Sequence, residues 1–144
     1  MAHSIQEKIN KILLSQWCKK HQIDFCILFG SSVTGKLHKN SDIDIAVYSS
    51  KNELLKTKLQ LIGELEDLIE STVDLTILHA DMSPLLLYEI MVKGKLLYIS
   101  DPDIYIEKQI YAIKFYDDVP FLKKWQDLSF SVKLDRLKNV TARY

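Results

Sequence analysis

Apolar residues recur along this chain at two different spacings, and the alternation between them predicts an ordered series of helices and strands. Spacings of three and four residues are typical of amphipathic helices, whereas short continuous or alternating apolar runs are typical of strands. Helices are predicted over residues 4–20, 52–70, 84–93 and from Asp101 to about 118, and strands over 24–29, 42–48, 72–78 and 95–100. Helices and strands thus alternate, except for one long loop between the first two strands.

Local signals define several boundaries of these elements. Ser4 and Glu7 form a capping-box pattern, and Ser83 followed by Pro84 predicts the start of a helix that Gly94 ends. The longest helix is predicted from a single apolar stripe, which consists of Leu54, Leu55, Leu61, Ile62, Leu65, Leu68 and Ile69.

Together these elements predict an α/β fold of the α+β type, a small mixed sheet of about four strands packed with helices. A length of 144 residues fits one domain, and no repeat, low-complexity tract or flexible linker divides the sequence. We predict a single domain over 1–144 with a core at about 20–125 and a helical tail at about 121–144, after Pro120 breaks the last long helix. The pairing sense of the first two strands stays open, because their loop is too long for a tight hairpin.

Composition and charge narrow the classes of function. Basic and acidic residues number 19 each, so the net charge is zero, and direct nucleic-acid binding, which favours a basic excess, is not expected. The N-terminal segment lacks the apolar core of a signal peptide, and no stretch approaches the roughly 18 apolar residues of a membrane span. A cytoplasmic protein without membrane contact is expected, with Cys18 and Cys26 as reduced thiols.

Three aspartates interrupt strands that are otherwise apolar. Asp42 and Asp44 are two residues apart and point to the same side of their strand, and Asp74 joins them if its strand is the neighbour. Aspartate is disfavoured in strands, and burying an unpaired carboxylate is costly. Such a cluster requires a cation, and Mg²⁺ suits it because that ion takes carboxylate, water and phosphate oxygens.

The loop before Asp42 contains groups suited to phosphates. Gly30 permits unusual dihedrals and a close approach of the backbone, while Ser31 adds a hydroxyl and an amide N–H. Lys36 and Lys39 add positive charge, although the loop lacks the Gly-Lys-Ser or Gly-Lys-Thr of a Walker A motif. A Gly-Ser pair or an Asp-x-Asp triplet alone is common, so the interpretation rests on their combination with a third aspartate.

Other polar and aromatic residues are interpreted as structural. His38 is expected to be a solvated loop residue, His79 a structural or surface residue, and Glu89 a salt-bridged residue of a helix. Core or interface packing is expected for the tyrosines at amphipathic spacing, with stacking on a base as the alternative for one of them: Tyr88, Tyr98, Tyr105, Tyr111 and Tyr116.

The segment "GSSVTGKLHKNSDIDIAV" resembles the GSx10DxD motif of the DNA polymerase beta nucleotidyltransferase superfamily, and "VDLTIL" resembles its third-carboxylate strand. The small size, together with "SPLLLYEIMVKGKLLYIS" and "YAIKFYDDVPFLKK", is similar to the minimal nucleotidyltransferase (MNT) group, in particular to MntA-type antitoxins encoded beside HEPN-domain toxins. The resemblance covers about residues 20–125 and is strongest over 28–47.

This resemblance implies a polymerase-beta-like fold and a role for each motif residue. Gly30 and Ser31 match the pair that holds the nucleotide phosphates, Asp42 and Asp44 match the carboxylates that bind two Mg²⁺ ions, and Asp74 matches the third carboxylate, a metal ligand and general base. The implied reaction transfers AMP from ATP to a tyrosine hydroxyl of a partner HEPN RNase toxin, which silences the toxin within a hetero-oligomer.

Two alternatives stay open at this point. In the first, the chain is a non-catalytic antitoxin that neutralises its partner by binding and occluding it. In the second, the chain transfers a nucleotide to a small-molecule hydroxyl. One departure from the family pattern concerns the loop, where Val33-Thr34-Gly35 stands in place of an Ala-Arg-Gly that family members often carry. Lys36 and Lys39 are the candidate replacements for that arginine.

Overall fold

The computed structural model of the chain describes residues 9–34 and 42–118, and within these ranges helices and strands follow the predicted order. Its elements are α1 (Lys11–Lys20), β1 (Phe25–Phe29), the short α2 (Ser31–Thr34), β2 (Ile43–Tyr48), a 3₁₀ turn (Leu54–Thr57), α3 (Lys58–Ile69), β3 (Val73–Ile77), α4 (Pro84–Met91), β4 (Lys95–Ile99) and α5 (Pro102–Asp117). No helix in the described part of the chain is long and apolar enough to cross a bilayer.

The four strands form one mixed sheet in the order β3-β2-β1-β4. β1 pairs antiparallel with both β2 and β4, whereas β2 and β3 run parallel because α3 carries the chain back to the starting edge. The predicted α+β class and four-stranded mixed sheet are therefore confirmed, and the pairing sense that the sequence left open is antiparallel.

Each face of the sheet is covered by a layer of helices. α1 and α3 pack on one face, where Leu14, Trp17, Leu61 and Leu65 are buried against alternate residues of the strands. α4 and α5 cover the other face and enclose a second cluster that includes Phe25, Phe29, Ile90 and Ala112. The cysteines Cys18 and Cys26 are buried free thiols, as expected.

The helix predicted over 4–20 is not continuous, because the chain is extended at Asn10. Asn10 has extended backbone dihedrals, and its side-chain oxygen accepts hydrogen bonds from the backbone N–H groups of Ile12 and Leu13 at 3.0 and 3.1 Å. Asparagine is a preferred N-cap because this side chain satisfies otherwise unpaired amides, so α1 begins at Lys11. The Ser4–Glu7 capping box lies outside the described residues.

The predicted helix over 52–70 is divided into the 3₁₀ turn and α3. The predicted apolar stripe consequently fails at Leu55, whose surface is 57% exposed, while Leu54, Leu61 and Leu65 are buried. α3 ends at Glu70, which adopts a left-handed conformation with φ 61°. Local periodicity did not reveal the change of helix type at Thr57.

The caps predicted for the two later helices are confirmed. The hydroxyl of Ser83 accepts from the Leu86 N–H at 3.1 Å, and the Asp101 carboxylate accepts from the Asp103 N–H at 3.0 Å. α4 ends at Met91, three residues before Gly94, which packs against the Ile90 carbonyl and a methyl group of Ile27 so closely that a Cβ would not fit. Pro120 and the predicted tail at 121–144 lie outside the described residues.

Candidate active site

The end of β1 and the start of β2 bring the Gly-Ser pair and the paired aspartates to one edge of the sheet. β1 and β2 are antiparallel, and Phe29 is the register partner of Asp44. Gly30 and Ser31 come directly after Phe29, the residue opposite Asp44. Asp42 immediately precedes β2 at the same edge. The structure therefore places together residues that are ten or more positions apart in the sequence.

Asp74 joins this edge from the neighbouring strand. In the parallel register of β2 and β3, Asp44 is the direct partner of Asp74. The two side chains therefore point to the same face of the sheet, the one covered by α4 and α5. The predicted three-carboxylate cluster requires that the strands of Asp44 and Asp74 are neighbours. This condition is confirmed.

The carboxylates differ in their exposure. Asp44 is buried, with 8% of its surface exposed, whereas Asp42 and Asp74 are exposed. Burial raises the pKa of Asp44 to about 7, and the charges of Asp74 and Asp42 together with a side-chain hydrogen bond to Asp74 add to this effect. The fold thus brings three carboxylates together at a place where the surrounding protein disfavours the ionised form of Asp44.

Gly30 makes the turn from β1 into α2. Its φ of 69° lies in the left-handed region, which glycine adopts without steric cost, and its carbonyl accepts a hydrogen bond from the Val33 N–H at 3.1 Å. Ser31, the first residue of α2, is half-buried at this turn. The unusual dihedrals predicted for Gly30 are confirmed.

The loop residues predicted to contact phosphates cannot all be placed. Lys36, Lys39 and His38 lie outside the described residues. Val33, at the start of the segment that departs from the family pattern, is partly buried and packs against the core that α1 and α3 cover. This position therefore has a packing role.

The residues interpreted as structural have structural contacts. The carboxylate of Glu89 is buried and forms an ion pair with Lys93, just beyond the end of α4, at 2.9 Å, which confirms that this helix residue is salt-bridged. His79 is exposed, and its Nδ1 accepts from the Asp81 N–H at 3.2 Å.

Tyrosine packing links the helices to each other and to the sheet. The rings of Tyr88 and Tyr116 stack with their centroids 4.3 Å apart and join α4 to α5, and Tyr105 meets the edge of Phe25 at 5.4 Å. The packing role predicted for these three tyrosines is confirmed.

Two glutamates of α3 have contacts that sequence reasoning missed. Glu64 binds Trp17 of α1 and His21, which directly follows α1. Glu66 accepts a hydrogen bond from the backbone N–H of Val73, the residue before Asp74. Both lie in a stretch of alternating charged and apolar residues. No local signal distinguishes them from their exposed neighbour Asp67, because their partners are far away or across a turn.

The donor set at the sheet edge fits a hard divalent cation. Asp42, Asp44 and Asp74 offer only oxygen ligands, and burial together with the neighbouring carboxylates raises the pKa of Asp44, so a cation would favour its ionised form. Within residues 9–34 and 42–118, no three His, Cys, Asp or Glu side chains are oriented as a ready-made ligand set. The strands therefore place the three candidate ligands at the same edge of the sheet.

Residues 7–103 match the family model described as polymerase beta, nucleotidyltransferase, so the chain belongs to the polymerase beta nucleotidyltransferase family. It is 31% identical over 109 residues to the protein adenylyltransferase MntA of Shewanella oneidensis, an alignment that covers 76% of this chain and 73% of that protein. The predicted family, fold and enzyme class are thereby confirmed.

Solved structures of toxin–antitoxin complexes share the fold. A chain in a toxin–antitoxin crystal structure with AMP-PNP is 24% identical, with a TM-score of 0.64 over 89% of this chain and 98% of that one. A chain in the complex of tri-AMPylated Shewanella oneidensis HEPN toxin with MNT antitoxin is 23% identical, with a TM-score of 0.58 over 92% and 98%. At this level of identity the likeness establishes the common fold.

Proposed function

We propose that this nucleotidyltransferase is a Mg²⁺-dependent protein adenylyltransferase that moves AMP from ATP to a tyrosine hydroxyl of a partner HEPN RNase toxin. It thereby acts as a cytoplasmic antitoxin in a complex with that toxin. The observation that carries the proposal is the register of β2 and β3, which sets Asp44 beside Asp74 at the edge where Gly30 and Ser31 follow β1. The 31% identity to MntA, itself a protein adenylyltransferase, supports AMP as the transferred group.

The proposed reaction divides its tasks among the residues of this edge. Gly30 and Ser31 bind the phosphates through the turn, and Asp42 and Asp44 hold Mg²⁺, which when bound offsets the charge of the triphosphate. The tyrosine oxygen attacks the α-phosphorus of ATP, and Asp74 accepts the proton that this hydroxyl loses. The new bond joins the tyrosine oxygen to that phosphorus, the bond to the bridging oxygen breaks, and pyrophosphate leaves.

Positive charge for the triphosphate is assigned to the loop between the two motifs. Lys36 and Lys39 are the basic residues nearest in sequence to Gly30 and Ser31, and they follow the position where the family pattern often supplies an arginine. The uncharged Thr34 stands at that position, so the two later lysines take the role of the arginine in the proposal.

The test is AMP transfer by a variant in which Asp42→Asn and Asp44→Asn are combined. Purified chain, α-labelled ATP, Mg²⁺ and the HEPN partner are incubated, and label on the partner is measured over time. We expect the double variant to lose at least about 100-fold in rate, because the metal ligands are removed without a change in side-chain shape. Asp67→Asn, an exposed change on α3, serves as the matched control and should retain the wild-type rate.

Two results would contradict this assignment. Transfer that survives the double change would show that these aspartates are not the metal ligands. Intact-mass measurement of the partner after co-expression gives the second result, since a stable complex without added AMP would favour neutralisation by binding alone. A gain in multiples of the AMP mass supports the enzyme.

A further inference from the structure

Glu66 accepts hydrogen bonds at both ends of the turn that joins α3 to β3. Its backbone carbonyl accepts a hydrogen bond from the Glu70 N–H at 2.8 Å, where the helix ends in a left-handed residue. Its side-chain Oε2 accepts from the Val73 N–H at 3.0 Å, in a partly buried position. One residue of the helix therefore holds the first residue of the strand that carries Asp74.

The Val73 amide belongs to the outer edge of the sheet. β3 is an edge strand, and the Thr72 carbonyl points inward to accept from the Ile43 N–H of β2 at 2.9 Å. Since consecutive residues of a strand direct their backbone groups to opposite sides, the Val73 N–H points away from β2. In the part of the chain that the structure describes, no strand pairs with this edge of β3, and Glu66 supplies the acceptor instead. A carboxylate acceptor makes this a charge-assisted bond.

The register of β3 decides where Asp74 lies. Asp74 is the direct partner of Asp44 in the parallel pairing of β2 and β3. A shift of one residue in this pairing would turn Asp74 to the opposite face. An anchor on the outer edge, one residue before Asp74, opposes this shift.

We propose that Glu66 is a positioning residue for the reaction, which fixes the start of β3 so that Asp74 stays beside Asp44. This inference rests on the proposed function, since it assigns Asp74 a part in the transfer. No contact with the phosphates is assigned to Glu66, which acts through its hydrogen bond to the Val73 backbone.

Three variants test this role in the full chain with the HEPN partner. Glu66→Ala removes the acceptor, Glu66→Gln keeps an oxygen acceptor without the charge, and Asp67→Ala removes the adjacent exposed carboxylate. For Glu66→Ala we expect kcat for AMP transfer to fall on the order of 10- to 100-fold, as for a misplaced catalytic group, with the KM for ATP within about twofold. Glu66→Gln should recover most of kcat, and Asp67→Ala should match the wild type.

The split between kcat and KM, and the rescue by glutamine, separate positioning from general loss of folding. Unchanged kcat in Glu66→Ala, or a Glu66→Gln variant as slow as Glu66→Ala, would overturn the proposal. If the wild type itself transfers no AMP, the proposed function fails, and Mn²⁺ affinity decides the positioning role alone. Weaker Mn²⁺ binding in Glu66→Ala but not in Glu66→Gln would then support the positioning role. Equal Mn²⁺ affinity in the wild type, Glu66→Ala and Glu66→Gln would refute it.

Discussion

Asp44 is buried between Phe29 of β1 and Asp74 of β3, so its ionised form is disfavoured by the folded protein. Its folded pKa of about 7 lies above the ordinary value of 3.8. For a raised carboxyl pKa, the stabilising contribution is fully present below about 3.8 and is lost as the pH rises through about 7. At and above neutral pH, the residue proposed to bind metal therefore destabilises the metal-free fold.

Asp44→Asn should accordingly stabilise the metal-free protein at pH 8 and have little effect at pH 4. Asparagine keeps the size and can donate to Asp74, but it cannot ionise. The pKa difference sets an upper limit of about 4 kcal/mol, and we expect a gain above about 1 kcal/mol at pH 8. Urea unfolding in the presence of a chelator measures it, and Mg²⁺ should stabilise the wild type more than the variant. A variant less stable than the wild type at pH 8 would contradict this reasoning.

At the scale of elements, α4 buries the carboxylate of Glu89, which forms an ion pair with Lys93. The side chain of Glu89 is 8% exposed and that of its partner Lys93 is 55% exposed, whereas Glu53 and Lys56 form a pair that is 70% and 75% exposed. Removing one member of a buried pair leaves an uncompensated charge, while surface pairs contribute little. The two pairs therefore form an internal comparison.

Lys93→Met should destabilise the protein by about 1–2 kcal/mol, because Glu89 keeps its burial and loses its counter-charge, with partial solvent screening at the lysine. Lys56→Met, which also keeps the aliphatic stem, should change stability by less than about 0.5 kcal/mol. Denaturant unfolding at pH 7 measures both variants. Equal effects of the two substitutions would show that the burial of Glu89 does not determine the strength of its pair.

The start of a helix could be predicted from the sequence where the residues that define it lie close together in the chain. Ser83 and Asp101 were recognised as helix starts, because an N-cap bonds to amides two or three residues away. The motif of Gly30, Asp42 and Asp44 was recognised by its spacing. The break at Asn10 was missed because apolar spacing continues across it, and Glu66 was missed because its partner lies beyond a turn.

At the scale of the molecule, Glu64 of α3 connects two helices that are distant in sequence. Its carboxylate accepts from the Trp17 Nε1–H at 2.9 Å and lies 2.7 Å from the His21 Nε2, both on or just after α1. Gln60 donates to its other oxygen at 3.0 Å. This cluster joins the helices on the face opposite to Asp44. The single domain predicted over residues 1–144 stays a prediction.

The two faces of the sheet should therefore respond to acid in opposite directions. Hydrogen bonds from Gln60, His21 and Trp17 lower the pKa of Glu64 to about 2, from an ordinary value of 4.5. For a lowered carboxyl pKa, the contribution to stability is present above about 4.5 and is lost as the pH falls through about 2. Glu64→Gln keeps the acceptor oxygen but loses the charge, so it should cost about 1 kcal/mol at pH 7.

The difference in unfolding free energy between wild type and Glu64→Gln, measured in urea at several pH values, isolates this contribution because Asp44 titrates equally in both proteins. The difference should shrink towards zero as the pH falls from about 4.5 towards about 2. A difference that persists unchanged at the acid end would mean that the charge of Glu64 does not hold α1 against α3. Its contribution would then be one of shape and neutral hydrogen bonding, which glutamine disturbs at every pH.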